Sequence, residues 1–395
     1  MTTIPPGETG TTGETGPTGP TGPSGETGPS GPTGRTTAQP GEADSAGPAA
    51  SPPGSASSPG AAERGATGLR ERIVVAVLVS VVLLGGAAVY VVRAAHRAPA
   101  VSAGAGAVDA GPGDRILFRS TAAGSYGLIA TAAGTGARTV SGVACDRVYA
   151  AGGGVICLRP DGPLATYQVA VLDTRLRERD SYPLVGVPNR ARVSPSGHLL
   201  AWTVFVTGDS YNGGRFSTRV GMLNTVTGDT VDTLETFAIT LDGRPYRNAD
   251  LNFWGVTFAD DQHFYATMST GGRRYLVAGD IAARTVRTLA ANVECPSLSP
   301  DGTRLVFKQA RDADPAHGWR LTVLDLATMA RTPLAETRSV DDQAAWKDDT
   351  TIMYAVRRGP RAADVWSTPA DGSGSPAILI PDAESPAPLQ PAGRP

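Results

Sequence analysis

Histidine and cysteine are scarce in this chain: 395 residues carry four of the first and three of the second. The spacings that hold zinc are missing, since there is neither a His-Glu-x-x-His nor a paired-Cys knuckle. Gly-x-Ser-x-Gly and the Walker lysine loop are missing too, which removes the motif-borne hydrolases and nucleoside triphosphatases. His96 adjoins an apolar run, His198 and His263 open strands just after turns, and His317 sits in a polar loop. These are surface positions, not a constellation. An excess of charge is also lacking. From Arg93 onward 31 Arg plus Lys face 30 Asp plus Glu, with no basic run suited to a phosphate backbone, so nucleic acid is not an expected partner. No metal, cofactor or catalytic residue is expected either.

Aromatic residues are absent from residues 1–72, where Gly, Pro, Thr, Ser, Ala and Glu dominate. Such a composition cannot bury enough apolar surface to offset its ordering entropy, so a disordered tail is expected. Within it, Gly7 to Thr36 (7–36) forms ten consecutive triplets with Gly first, often Pro second, and Thr or Ser third. That is the collagen period, and it leaves two readings open: a trimer through a short triple-helical stalk, or a flexible solvated tail.

Charge then vanishes for twenty residues, Ile73 to Val92, "IVVAVLVSVVLLGGAAVYVV". At 1.5 Å per residue this spans a hydrocarbon core of roughly 30 Å, so one transmembrane helix is expected over 73–92. A signal peptide cleaved near "APAVSAGA" is the rival, and the 72-residue leader before the run argues against it. An Ala/Gly linker over 93–112 follows. Arg64, Arg70 and Arg72 precede the run against Arg93 and Arg97 after it, a weak positive-inside bias. Cys145 and Cys157 flank "DRVYAAGGGVI". Folding this segment about its glycines brings the two roughly opposite one another, at a separation a disulfide spans. Such a bridge persists outside the reducing cytosol. The expected topology is therefore a single-pass plasma-membrane protein with a cytoplasmic amino tail and an extracytoplasmic carboxyl domain, Cys295 being a buried thiol.

That domain, 113–391, is repetitive. "ARVSPSGHLLAWTVF" at Ala191, "WGVTFADDQHFYATM" at Trp254, "PSLSPDGTRLVFKQA" at Pro296 and "QAAWKDDTTIMYAVR" at Gln343 each alternate into a tight turn and out again. "DRVYAAGGGVICLRP" at Asp146 and "RILFRS" at Arg115 add two earlier units. Each unit continues with two more strand-like runs, and one small sheet cannot hide its faces until neighbours stack on it. A six-bladed, all-β propeller of four-stranded antiparallel blades is expected. Second strands are expected to begin near Arg115, Gly154, His198, His263, Thr303 and Thr350. No inner strand precedes Arg115, and Ser385 to Gln390 at the other end of the chain is expected to supply it and close the ring.

The Ser-Pro-Asp-Gly hairpin at Ser299 to Gly302, and its Ser-Pro-Ser-Gly variant at Ser194 to Gly197, resemble TolB-type β-propeller repeats, found in periplasmic and surface binding modules. "FADDQ" and "WKDDT" depart from the motif by lacking both Pro and Gly. The resemblance covers roughly residues 110–390 and implies a fold without catalytic residues, because the matching positions make turns. The function expected is a non-catalytic, membrane-anchored module that scaffolds or recognises a cell-envelope protein or glycan. Two alternatives are a propeller-based hydrolase of envelope glycans or peptides, which would need a further domain, and a collagen-like structural surface protein.

Strand parity says which face binds. In a four-stranded meander, first-to-second and third-to-fourth turns share one face, and second-to-third loops share the other with blade-to-blade connections. The two longest irregular segments, "TGDSYNGGRFST" and "AITLDGRPYRNADLN", both fall on the second face. They concentrate Tyr211, Arg215, Phe216, Arg244, Tyr246 and Arg247, residue types enriched at interfaces. Trp254, Glu294, Asp341 and Asp342, at the starts of inner strands, are expected to open onto the central channel there.

Overall fold

The computed structural model describes residues 63–95, 107–134, 136–162, 166–206 and 217–389. The collagen-like triplets lie outside these residues, as do Tyr211, Arg215 and Phe216. A helix, Glu63–Ala95, contains the whole apolar run Ile73–Val92. The side chains described on it, 72–87 and Val89, are exposed. Among the described residues no helix is long and apolar enough to cross a membrane; the contiguous described side chains end at 87, short of the roughly 20 residues a bilayer requires. The span stays an expectation of the sequence.

The rest of the described chain forms six sheets, each one blade. The innermost strands, in ring order, are Ala383–Pro388, Arg147–Ala151, Val187–Val193, Asn252–Phe258, Glu294–Leu298 and Ala345–Asp348. Each neighbours the next and the last neighbours the first, so they enclose a central channel. The second strands are Ile116–Ser120, Gly154–Asp161, Leu199–Val206, His263–Thr270, Arg304–Ala310 and Thr351–Gly359, each starting within one residue of its expected position. Blades stack on both faces of these strands. Alternation consequently fades in the first blade, where "ILFRS" and "LIATA" are buried at every position.

The carboxyl-terminal strand does close the ring. Ala383–Pro388 pairs antiparallel with Ile116–Ser120, setting Ile116 opposite Pro388 and Ser120 opposite Ala383. No edge is left unpaired at the seam. Val108 and Ala110, assigned by composition to the linker, are buried with Leu117 and Cys157 in the core between the first two blades.

Two features depart from expectation. The disulfide Cys145–Cys157 is present with a Cα separation of 5.5 Å, but the two are not ladder partners. Arg147 pairs with Leu158 and Val148 with Cys157, so Cys145 lies where the chain passes from the first blade into the second. The fourth blade carries six strands, not four. Within "AITLDGRPYRNADLN", Ala238–Leu241 and Arg244–Tyr246 form a hairpin whose first strand runs parallel to the blade's outer strand, Thr285–Ala291. Its two-residue turn is Asp242-Gly243, both at positive φ, as a tight hairpin requires. Leu234, Phe237 and Ile239 from this excursion fill the space between the third and fourth blades.

Candidate functional site: the mouth of the channel

The inner strands are irregular. In five of the six blades the innermost ladder shifts register, between Leu117 and Arg119, Pro188 and Arg190, Trp254 and Thr257, Glu294 and Ser297, and Trp346 and Asp348. A bulge bends its strand and re-aims side chains. Three of them place a residue at positive φ: Gly255, Cys295 and Ser385. Only Gly adopts that conformation freely, so Cys295 and Ser385 are held there by the ring around them.

These strands carry charge inward. Arg192 crosses from the third blade to the sixth, donating through Nη2 to the carbonyls of Ala344 (2.8 Å) and Gln343 (3.3 Å). Gln343 donates from Nε2 to the carbonyls of Pro296 (3.0 Å) and Val256 (3.1 Å) in the fifth and fourth blades. Four blades are thus tied across the channel. Beside this bridge lies a small pocket of about 20 Å³ that opens to solvent, lined by Arg147, Tyr149, Arg190, Arg192, Asp342 and Gln343 among others. The Arg192 guanidinium stacks 4.4 Å above the Tyr149 ring. Burial first, then the neighbouring Arg190 charge, holds the Arg147 guanidinium below its ordinary pKa. Burial does the same to Arg192.

A second charged group adjoins the first. Glu294 is 4% exposed and pairs with Arg274 and with Lys308 at 3.8 Å. Burial pushes its carboxyl up, and the two cations only partly counter it. Lys308 also binds Asp341 and sits 4.4 Å above the Trp319 ring.

The channel therefore gathers Glu294, Asp341 and Asp342, three of the expected residues. Trp254 lies half-buried in the fourth inner strand, opposite Thr267. Arg244, Tyr246 and Arg247 are elsewhere, on the hairpin of the fourth blade and the residue that follows it. The Tyr246 hydroxyl meets Thr270 (2.8 Å) and Asn248 (3.1 Å), and Arg247 donates to the Glu235 carbonyl (3.2 Å). Asp250 binds the Thr270 hydroxyl and the Gly271 N–H, so this segment caps the second-to-third turn of its own blade. Arg147, Arg190, Arg192 and Gln343 were not expected. A signal existed: "VPNRARV" puts two arginines, two residues apart, on one face of an inner strand, where burying a charge demands a reason.

The opposite face is occupied by its own turns. Gly197 N–H bonds the Ser194 carbonyl and Gly302 N–H the Ser299 carbonyl, both at 2.9 Å. Asp260 caps Gln262 and His263, and Asp348 caps Thr350. Asp261 instead reaches the third blade, accepting from Ser194, Ser196 and His198.

No family model and no curated protein matches the sequence. Solved structures do match. TolB from Acinetobacter baumannii superposes with a TM-score of 0.51 at 16% identity, over 70% of this chain and 67% of that one. A protein of Agrobacterium tumefaciens assigned as TolB gives 0.41 at 11%, over 69% and 92%. A puromycin-hydrolysing peptidase of Mycobacterium tuberculosis gives 0.39 at 16%, over 69% of this chain but 46% of that one. At these identities the likeness is one of fold.

Proposed function

We propose that this chain is a membrane-anchored, extracytoplasmic binding module whose propeller receives an envelope protein or glycan at the mouth of its channel, without catalysis. The observation that carries this reading is the concentration of charge there: residues of the first, second, third and sixth blades line a pocket that opens to solvent and is walled by three guanidinium groups and one carboxyl group. Exposed Val185 and Val187 lie in the connection and strand that lead to Arg190 on the same face, and add apolar area to a polar rim. The helix around Ile73–Val92 is the anchor, and the disulfide favours an oxidising compartment. The Gly-x-y triplets are the part of the chain able to make the module a trimer.

The absence of catalysis is supported by the one serine, histidine and aspartate cluster among the described turns. A hydrolytic triad sets the histidine between serine and carboxylate. Here Asp261 takes both serine hydroxyls and the His198 ring nitrogen itself, an arrangement that fastens blades and activates no nucleophile.

Two measurements test the reading. A reporter active only when exported, fused after Pro395, is active if the carboxyl domain faces outward; inactivity at normal expression inverts the topology. A pull-down with the full chain then identifies partners. Asp341→Ala with Glu294→Gln releases them if the mouth binds, whereas release only by changes in the Ser-Pro turns moves the site to the other face.

A further inference from the structure

We infer that the pocket at the channel mouth is a subsite for a small oxyanion, a carboxylate, sulfate or phosphate group, held by Arg147, Arg190 and Arg192. Its lining carries three guanidinium groups and one carboxylate, Asp342, a formal excess of two positive charges. Asp342 is itself engaged, accepting the Ala355 N–H at 3.0 Å.

The carboxylates just beyond the lining do not neutralise the excess, because each is already held more closely by another cation. Glu384 is 3.9 Å from Arg147 but 2.5 Å from Arg119. Asp341 is 3.7 Å from Arg190 but 2.5 Å from Lys308. Arg147 and Arg190 therefore contribute charge without a close counter-ion, in side chains only 20% and 11% exposed.

Unpartnered polar atoms belong to the same lining. Arg190 Nε and Arg192 Nε have no hydrogen-bond partner, and neither does the Gln343 Oε1 beside them. Buried polar atoms left this way are costly and rare in native proteins. Two unmet guanidinium N–H groups, one on each arginine of a positively charged lining, are donors of the kind that bind oxyanions. The unmet amide oxygen calls for a donor next to the anion, which a protonated oxygen or a bound water supplies. The subsite rests on the reading of this mouth as a binding face, and it adds the chemistry of the ligand group.

Equilibrium dialysis of the full chain in detergent tests it, with labelled sulfate, phosphate or acetate against chloride at constant ionic strength. The expected result is saturable binding of one oxyanion per chain. Arg147→Gln and, separately, Arg190→Gln each weaken it roughly ten- to a hundredfold, the worth of a hydrogen bond to a charged group. Comparing the three anions separates a preference for carboxylate from one for free phosphate or sulfate. Absence of saturable binding by the unaltered chain overturns the subsite without the need for any variant, as does binding that both variants leave unchanged. If the chain captures a partner through this face and yet binds no oxyanion, the subsite falls and the binding module stands. Oxyanion binding with no partner captured leaves the subsite standing and removes the module.

Discussion

Replacing Glu384 by Ala removes the carboxylate that locks the ring. Glu384 lies on the closing strand, where its side chain is 6% exposed and accepts from Arg119 Nη1 at 2.5 Å. Arg357 approaches at 3.3 Å but is half exposed, so that pair contributes less than about 1 kcal/mol. Arg119 is different: only 8% of its side chain is exposed. Its Nε is committed to the Cys145 carbonyl at 2.6 Å and its guanidinium stacks on Tyr126, so it cannot swing out to water when its partner is gone. Without Glu384, Arg119 keeps only the more distant and partly exposed Asp146 at 3.8 Å, and breaking a buried pair from one side costs up to about 3–5 kcal/mol. For a domain of this size each kcal/mol lowers Tm by about 2–4 °C, so Glu384→Ala is expected to melt roughly 6–20 °C lower. Circular dichroism of the strand signal follows the transition. Arg357→Ala, with Glu384 intact, is the internal control and is expected to shift Tm by roughly 4 °C or less. If Glu384→Ala melts no lower than that control, the seam is not held by this carboxylate and the reasoning fails.

Two further outcomes follow from the cysteines and the Ser-Pro turns. Thiol labelling of the denatured, unreduced chain modifies Cys295 alone and all three cysteines after reduction, because Cys145 and Cys157 are bridged; three labelled cysteines without reduction contradict the disulfide. Burial raises the Asp301 carboxyl, but bonds from Ser299, Thr303 and Arg304 outweigh it and bring the pKa down to about 2. A folded value below the unfolded one of about 3.9 gives stability that is complete above that value and is lost as pH falls toward 2. Urea midpoints between pH 5 and pH 2 are therefore expected to fall less steeply for Asp301→Asn, and parallel curves contradict the assignment.

Local pattern carried the fold a long way. "SPDG" and "SPSG" between alternating runs are turn chemistry with its own mechanism, and both hairpins lie where the motif puts them. Second-strand starts were legible because each follows a turn. The closing strand was legible from a deficit, since the first blade has three strands of its own and needs a fourth. The hairpin at Leu241 to Arg244 was missed although Asp-Gly between strand-like runs is a strong signal. The length of the segment made it look like a loop. The disulfide was found for an inexact reason: the glycine turn brings Cys157 near, but Cys145 lies two residues outside the ladder.

The pocket at the channel mouth was less legible because its residues are far apart in sequence. Arg192 and the carbonyls it reaches are separated by 151 and 152 residues. Closing a ring of six blades is what brings them together, and no local period encodes which charges then meet. Glu294, Asp341 and Asp342 were reachable by counting back from each turn to the start of an inner strand. The arginines needed a different question, why a buried strand should carry them.

The degenerate turns have a physical account of their own. The third and fifth blades have Ser-Pro turns, whereas the fourth and sixth have Asp-Asp in that place. In each Asp pair the first residue caps its own backbone, as Asp260 and Asp348 do. The second reaches back to the preceding blade. Asp261 accepts from Ser194 and Ser196 of the third blade, and Asp349 accepts the Asp301 N–H of the fifth at 2.9 Å, its carbonyl taking Arg304 at 2.7 Å. Between the second and third blades the approach is closer still: a Cβ on Gly152 would stand 2.3 Å from the Ser196 carbonyl carbon. A Ser-Pro turn offers donors toward the next blade, and an Asp-Asp turn there accepts them. Departure from the repeat is therefore what lets the third blade clasp the fourth and the fifth clasp the sixth on this face.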